Sequence, residues 1–104
     1  MIGAKLSAAV IAHIEKKYNG EVTNVVVSSK SGTSDLIACI EGRYFAFEIK
    51  GAGDTEKRLQ DEKLKRVAKA GGYGGYVYSI ADVDDIVKNL KQPQILSKIT
   101  KIIL

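Results

Sequence analysis

Two apolar runs on either side of the turn sequence Glu41-Gly42 constrain the fold of this chain more than any other feature. Residues 34–40 and 43–50 are rich in aliphatic and aromatic side chains, and runs of this length around a glycine turn are typical of a β-hairpin. A two-residue loop sets the register of such a hairpin. Counting along the two strands then places Asp35 opposite Glu48.

The predicted pairing of Asp35 with Glu48 brings two carboxylates onto one face of the sheet. Opposite side chains in an antiparallel pair are ~5 Å apart, and like charges there are destabilising. A divalent cation would relieve the repulsion, so we predict Mg²⁺ or Mn²⁺ bound by both carboxylates and the carbonyl of Ile49. Lys50, two residues after Glu48, faces the same side. It can orient or deprotonate a metal-bound water, or neutralise charge that develops on a phosphate.

A surface strand of alternating polar residues is the alternative interpretation of this segment. The same predicted face also carries Ile37, Cys39, Tyr44 and Ala46. These residues argue against the alternative, because they make the face mostly apolar and leave the charged residues at its end. Cys39 is interpreted as a small buried residue.

Length and composition predict a single domain spanning residues 1–104. Hydrophobic residues make up 45% of the chain and charged residues 27%, which is ordinary for a soluble globular protein. The chain has no run of 18 apolar residues and no signal-peptide pattern, so we expect a cytoplasmic protein with no membrane partner. Its single cysteine excludes an internal disulfide and a cysteine-based zinc site.

The net charge of +4 and the pI near 9.2 favour an anionic partner. Basic residues cluster shortly after the hairpin, at Lys57, Arg58, Lys63, Lys65, Arg66 and Lys69. Such a cluster is typical of contacts with a phosphate backbone. A solvated helix face is the alternative, because Glu56, Asp61 and Glu62 lie among these cations.

The remaining elements predict an α/β fold. Beside the hairpin we expect a helix over 4–18, a strand over 21–29, a helix from Asp54 or Thr55 to about 70, a strand over 75–79, a helix over 83–90 capped by Asp82, and a helical tail over 95–103. The glycine-rich run 71–75 is interpreted as a helix C-cap followed by a tight turn. The expected architecture is a mixed β-sheet flanked by helices, in the order α-β-β-β-α-β-α plus the tail.

Three polar residues on the predicted helices are candidates for a role near the carboxylates. Gln60 shares a helix face with Leu64 and Val67, so it points toward the sheet, either as part of a site or as a satisfied glutamine at a helix end. Glu15 lies at the border of the buried face of the first helix, either as a flanking charge or as a group that reaches the site. His13 is interpreted as a surface or boundary residue.

The arrangement Gly32-x-x-Asp35, then Glu48-Ile49-Lys50, then Gln60 in the following helix resembles the PD-(D/E)XK nuclease superfamily. More narrowly, it is similar to the virus-type replication-repair nuclease (VRR-NUC) domain in its minimal, stand-alone phage form. The resemblance implies a restriction-endonuclease-like core, a Mg²⁺ or Mn²⁺ cofactor and DNA as substrate. It also implies that Asp35 and Glu48 bind the metal, with Glu15 as a further ligand.

In the same family the lysine serves the attacking water and the helix glutamine supports the site, which implies these roles for Lys50 and Gln60. Stand-alone domains of this type act as homodimers on Holliday junctions, in the cytoplasm of a bacterial host when phage-encoded. An apolar tail over 95–104 is compatible with dimerisation, or with packing on its own domain. Two alternatives remain open: a nuclease acting on flap or duplex DNA, and a non-catalytic nucleic-acid-binding module.

Overall fold

The computed structural model describes residues 2–26, 34–51 and 58–93, and for residues 2–4, 26, 34 and 35 it describes the backbone alone. Its elements are α1 (Ile2–Tyr18), β1 (Glu21–Val26), β2 (Ser34–Ile40), β3 (Arg43–Ile49), α2 (Arg58–Lys69), β4 (Tyr73–Val77) and α3 (Ile80–Asn89). The predicted first helix and both hairpin strands are confirmed. The predicted tail, residues 27–29 and the predicted start of the central helix at Asp54 or Thr55 lie outside the described residues.

The described strands form one mixed sheet in the order β1-β2-β3-β4. β1 pairs with β2, and β2 with β3, in antiparallel orientation, whereas β3 and β4 are parallel. A parallel pair needs a long connection, and α2 lies between these two strands in the chain. The predicted class, an α/β fold with a mixed sheet flanked by helices, is therefore confirmed for the described residues.

The hairpin turn has the predicted two-residue loop. Glu41 and Gly42 have φ angles of 51° and 78°, and positive values at both central positions are what a type I′ turn requires. The register is the predicted one, with Asp35 opposite Glu48. Because side chains alternate along a strand, this register decides which residues share each face of the sheet.

The apolar core lies on the face of the sheet that carries Phe45 and Phe47 of β3. Its buried members are Val10 and Ile14 from α1, Leu36, Ala38, Ile40, Phe45, Phe47, Ile49 and Val77 from the sheet, and Val83 and Ile86 from α3. Burying a large apolar side chain contributes about 1.5–3 kcal/mol. This burial holds α1 and α3 on one side of the sheet.

α2 packs on the opposite face, above β3 and β4. Its buried residues are Leu64 and Ala68. Thr23 and Cys39 are exposed, so α2 leaves the β1–β2 part of this face open. The interpretation of Cys39 as a buried residue was therefore wrong, because the helix that would have covered it lies over the neighbouring strands.

α2 ends in a Schellman motif at the first predicted glycine. Gly71 has a φ of 93°, its N–H donates to the carbonyl of Ala68, and the N–H of Gly72 donates to the carbonyl of Val67. The predicted C-cap is thus confirmed, but the predicted tight turn after it was wrong. Gly74 and Gly75 lie within β4, which begins at Tyr73 rather than at residue 75.

Ser79, rather than the predicted Asp82, is the N-cap residue of α3. Asp82 lies in the first turn instead, where its Oδ2 accepts a hydrogen bond from the backbone N–H of Tyr78 at 2.8 Å. The helix therefore begins at Ile80, three residues earlier than predicted. Asp82 still stabilises the helix start, since a carboxylate in the first turn complements the helix dipole.

A polar cluster fastens α1 to α3 at the rim of the core. Oδ1 of Asp84 lies 2.7 Å from Nε2 of the half-buried His13 and accepts a hydrogen bond from the Tyr18 hydroxyl at 2.5 Å. Oδ2 lies 3.2 Å from Nζ of Lys17. Burial alone would raise the pKa of Asp84, but these hydrogen bonds outweigh it and lower the pKa well below 3.8. Burial and the bond to Asp84 raise the pKa of Tyr18 to about 12.

We expect Asp84→Asn to lower the free energy of unfolding by about 1 kcal/mol at neutral pH. Because the folded-state pKa of Asp84 is depressed, its contribution is present above pH 3.8 and is lost as the pH falls toward the folded-state value. Urea titrations at pH 7 and pH 3 measure this, and the difference from the wild type should shrink at pH 3. Glu21→Gln, an exposed carboxylate change, is the control. An equal loss at both pH values would contradict the account.

No helix of the described part of the chain is long and apolar enough to cross a membrane.

Candidate functional site

The carboxyl end of β3 carries two buried charged residues. Every residue from Phe45 to Lys50 is buried, because helices cover both faces of this strand. Glu48 is 1% exposed and Lys50 is 2% exposed, and these are the buried charged residues among those described. Burying an ionised group is costly unless it is paired and hydrogen-bonded. Their position at a strand end is therefore the first sign of a functional site.

Lys50 is held by contacts from α2 and β4. Its backbone N–H donates to the carbonyl of Val77 at 2.9 Å, which extends the parallel ladder by one residue. Its Nζ donates to Oε1 of Gln60 at 2.5 Å and lies 5.6 Å from the ring centroid of Tyr76. A cation at this distance from an aromatic ring is attracted to it. The lysine ammonium therefore lies on the α2 side of the sheet, which is also the side of Tyr76.

Tyr76 occupies the position opposite Glu48 in the parallel β3–β4 register. Its hydroxyl donates to Oδ1 of Asp61 at 2.5 Å. Gln60 and Asp61 are adjacent on α2, so one turn of this helix orients both the lysine and the tyrosine. The predicted orientation of Gln60 toward the sheet is confirmed by its bond to Lys50.

Asp35 and Ile49 are positioned by the backbone of the hairpin. The antiparallel register ends at the pair Asp35–Glu48. Since the N–H of Lys50 faces β4, the alternation along a strand directs the carbonyl of Ile49 toward β2, at the point where that ladder stops. The backbone thus brings Asp35, Glu48, Ile49 and Lys50 to the same end of the sheet.

Glu15 is the predicted site residue that the structure does not bring to this group. It is exposed, and α1 packs on the opposite face of the sheet through Val10 and Ile14. No contact described for Glu15 links it to Glu48 or Lys50. Its role as a further ligand stays a prediction of the resemblance.

Tyr76 and Asp61 belong to the surroundings of the site, although the sequence did not assign them to it. The signal that would have found Tyr76 is its position opposite Glu48, which requires the correct start of β4. A strand beginning at residue 75 rather than Tyr73 shifts that register by two residues. Asp61 was interpreted only as a counter-charge within the basic helix.

Two cavities of the described part of the chain are lined by neither Glu48 nor Lys50. One, of about 480 Å³, is bounded by α2, β4 and α3 and includes Tyr76 and Asp61. The other, of about 470 Å³, lies between Tyr44 and the second half of α2. Among the side chains that the structure describes, no group of three or more His, Cys, Asp and Glu residues is arranged to hold a metal ion.

Comparisons of the chain with protein-family models, with curated proteins and with solved structures found no match.

Proposed function

We propose that this protein is a metal-dependent DNA endonuclease with a restriction-endonuclease-like core. The observation that supports the proposal most directly is the burial of Glu48 and Lys50 at the end of β3, with Asp35 opposite Glu48. A buried apolar pair would serve stability at least as well, since the desolvation of two charges often exceeds their mutual attraction. Buried ionisable groups held by specific partners at a strand end are typical of reactive sites.

The oxygen donors at this end of the sheet fit a hard divalent cation. Asp35 and Glu48 offer carboxylates and Ile49 offers a backbone carbonyl, which are the ligands that Mg²⁺ and Mn²⁺ prefer. When bound, such an ion polarises a scissile phosphate and lowers the pKa of a coordinated water.

The residues of the chain have separate roles in this proposal. Lys50 presents its ammonium to the attacking water or to the phosphate oxygens, where positive charge stabilises the transition state. Gln60 and the ring of Tyr76 restrict the ammonium to one position, so little side-chain entropy is lost when substrate binds. The basic residues of α2 supply attraction for the phosphate backbone.

A preference for four-way junctions and a homodimeric assembly are the finer parts of the proposal, and both come from the resemblance. A homodimer would present one site to each of two strands. Cleavage of flap or duplex DNA by the same chemistry is the alternative substrate choice.

The test is a cleavage assay with labelled four-way junction, flap, blunt duplex and single-stranded DNA of one sequence. We expect cleavage in Mg²⁺ or Mn²⁺, none in EDTA, and the highest rate with the junction. Equal rates on all substrates would remove the junction preference and keep the nuclease. Binding without cleavage under every metal condition would contradict the nuclease and support a binding module instead.

A further inference from the structure

The cavity beside Tyr44 is a groove with a distinct chemical character. Its walls are the ring of Tyr44 on β3 and the side chains of Lys63, Arg66 and Val67 on α2. Gly71 and Gly72, at the end of the helix, also line it. We call this feature the Tyr44 groove.

Glycine at position 72 allows the end of α2 to lie close to β3. A Cβ atom on Gly72 would lie 2.8 Å from Cγ1 of Val67 and 3.2 Å from Cδ1 of Tyr44. Any larger residue would therefore clash with Val67 and Tyr44 and displace these two walls of the groove. The Schellman motif holds Gly72 at this position through the bond from its N–H to the carbonyl of Val67.

Its lining combines an exposed aromatic ring with two cations. Tyr44 is 47% exposed, although it stands on a strand that is otherwise largely buried. The lining described for this groove contains no carboxylate, whereas the other cavity is lined by Asp61, Asp82 and Asp85. An exposed ring beside lysine and arginine is suited to a ligand that has both a planar apolar face and a negative charge. A nucleotide has both.

The groove lies in line with the proposed active site. Tyr44 and Glu48 are four residues apart on β3, so they share a face and are separated by about 14 Å along the strand. α2 runs antiparallel to β3, with Gln60 near Lys50 and Val67 near Gly72. Lys63 and Arg66 lie in the helical turns between these two ends. A strand bound along α2 would thus pass from the carboxylates to the Tyr44 ring within a few nucleotide steps, at ~3.4 Å of rise per stacked nucleotide.

We propose that the Tyr44 groove binds an unpaired nucleotide of a DNA strand, with the base stacked on Tyr44 and the phosphate held by Lys63 and Arg66. The base must be unpaired, because a base inside a duplex stacks on its neighbours and has no free face for the Tyr44 ring. The groove and the carboxylates would then contact the same DNA strand, so the preferred substrate has an unpaired segment next to the cleaved bond. This link to cleavage rests on the proposed nuclease, whereas the binding of the nucleotide does not.

The test measures binding in EDTA, where no cleavage occurs, by the fluorescence anisotropy of a labelled single-stranded oligonucleotide. We expect Tyr44→Ala to raise the Kd about 5- to 100-fold, the range for loss of one stacked base. Tyr44→Phe keeps the ring and should bind nearly as the wild type does. The loss in Tyr44→Ala should be larger for the single strand than for a blunt duplex of the same length.

Arg66→Ala is the second variant, chosen because Arg66 is exposed and its loss leaves the core intact. It should weaken binding and reduce the slope of log K against log salt by ~0.7 for the single strand. Lys88→Ala removes one exposed cation from α3, on the other side of the sheet, and is the matched control. It should leave the salt slope nearly unchanged.

The outcomes separate this proposal from the nuclease. Three results would each refute nucleotide binding in the groove. The first is a Tyr44→Ala variant that binds as tightly as the wild type, and the second is an effect of Arg66→Ala no larger than that of Lys88→Ala. The third is a wild-type protein that does not bind the oligonucleotide. Loss of binding in the groove variants together with no cleavage in any metal would uphold the groove and reject the nuclease. Cleavage by the wild type, together with groove variants that bind the oligonucleotide as tightly as the wild type, would uphold the nuclease and reject the groove.

Discussion

Glu48→Gln is expected to reduce Mg²⁺-dependent DNA cleavage at least about 100-fold while leaving the protein folded. The amide has the shape of the carboxylate but lacks its negative charge, so it is a poor ligand for a hard cation. Asp35→Asn should have a similar effect, because the register places this residue opposite Glu48. Since both residues would hold one ion, the double variant should be little worse than either single variant.

The control for these variants is Glu41→Gln in the turn of the same hairpin. Glu41 is exposed and lies at the far end of the strands from Glu48, so its loss should leave cleavage unchanged. Circular dichroism verifies folding, and junction binding in EDTA verifies the DNA interface. Titration calorimetry with Mn²⁺ supplies a readout independent of cleavage, and binding should be lost in Glu48→Gln. A folded Glu48→Gln protein that cleaves at the wild-type rate would refute the assigned metal site.

Gly74→Ala is expected to lower the free energy of unfolding by at least about 3 kcal/mol, the largest effect on stability that we predict. A Cβ at this position would lie 1.9 Å from the backbone oxygen of Ala46, a contact that no side-chain movement can relieve. The φ angle of 150° is also unfavourable for alanine. For a domain of this size the melting temperature should fall by more than about 12 °C.

Displacing Gly74 also affects distant contacts. Its N–H donates to the carbonyl of Lys91, which ties β4 to the segment after α3. Tyr76 and Val77 follow on the same strand and contact Lys50, so a displaced β4 should also reduce cleavage.

Gly42→Ala is the matched control for the clash. Gly42 also has a positive φ, of 78°, but no atom lies within 4 Å of its ideal Cβ. Gly42→Ala should therefore lower the free energy of unfolding only by the cost of the unfavourable backbone conformation, about 1 kcal/mol. Thermal denaturation followed by circular dichroism compares the two variants. Equal losses of melting temperature in the two variants would show that the close contact with Ala46 does not determine the cost of a side chain at position 74.

The hairpin is the part of the fold that local sequence predicts most completely. A two-residue turn with glycine at its second position leaves few ways of pairing the flanking strands, so the register follows from counting residues. The predicted pair Asp35–Glu48 was obtained in this way and is present in the structure. The C-cap of α2 at Gly71 is equally local, because it depends on the left-handed conformation of one residue.

The start of β4 could not be predicted by the same reasoning. Gly74 and Gly75 indicated a turn, since glycine usually weakens a strand. Here the requirement for glycine comes from Ala46 on the neighbouring strand, which is 28 positions away and comes close to the backbone of Gly74. Only the parallel pairing of β3 with β4 reveals this approach.

The amino-acid sequence by itself determined the class of fold, the order of the described elements, the hairpin register and the candidate carboxylates, because each depends on patterns spanning a few residues. The tertiary structure decided what surrounds those carboxylates. The ring of Tyr76 beside Lys50 and the clustering of Tyr44 with Lys63 and Arg66 both require α2 to pack over β3 and β4. The exposure of Cys39 follows from the same packing. Helix placement on a sheet depends on the burial of many side chains at once, so no short segment of the sequence encodes it.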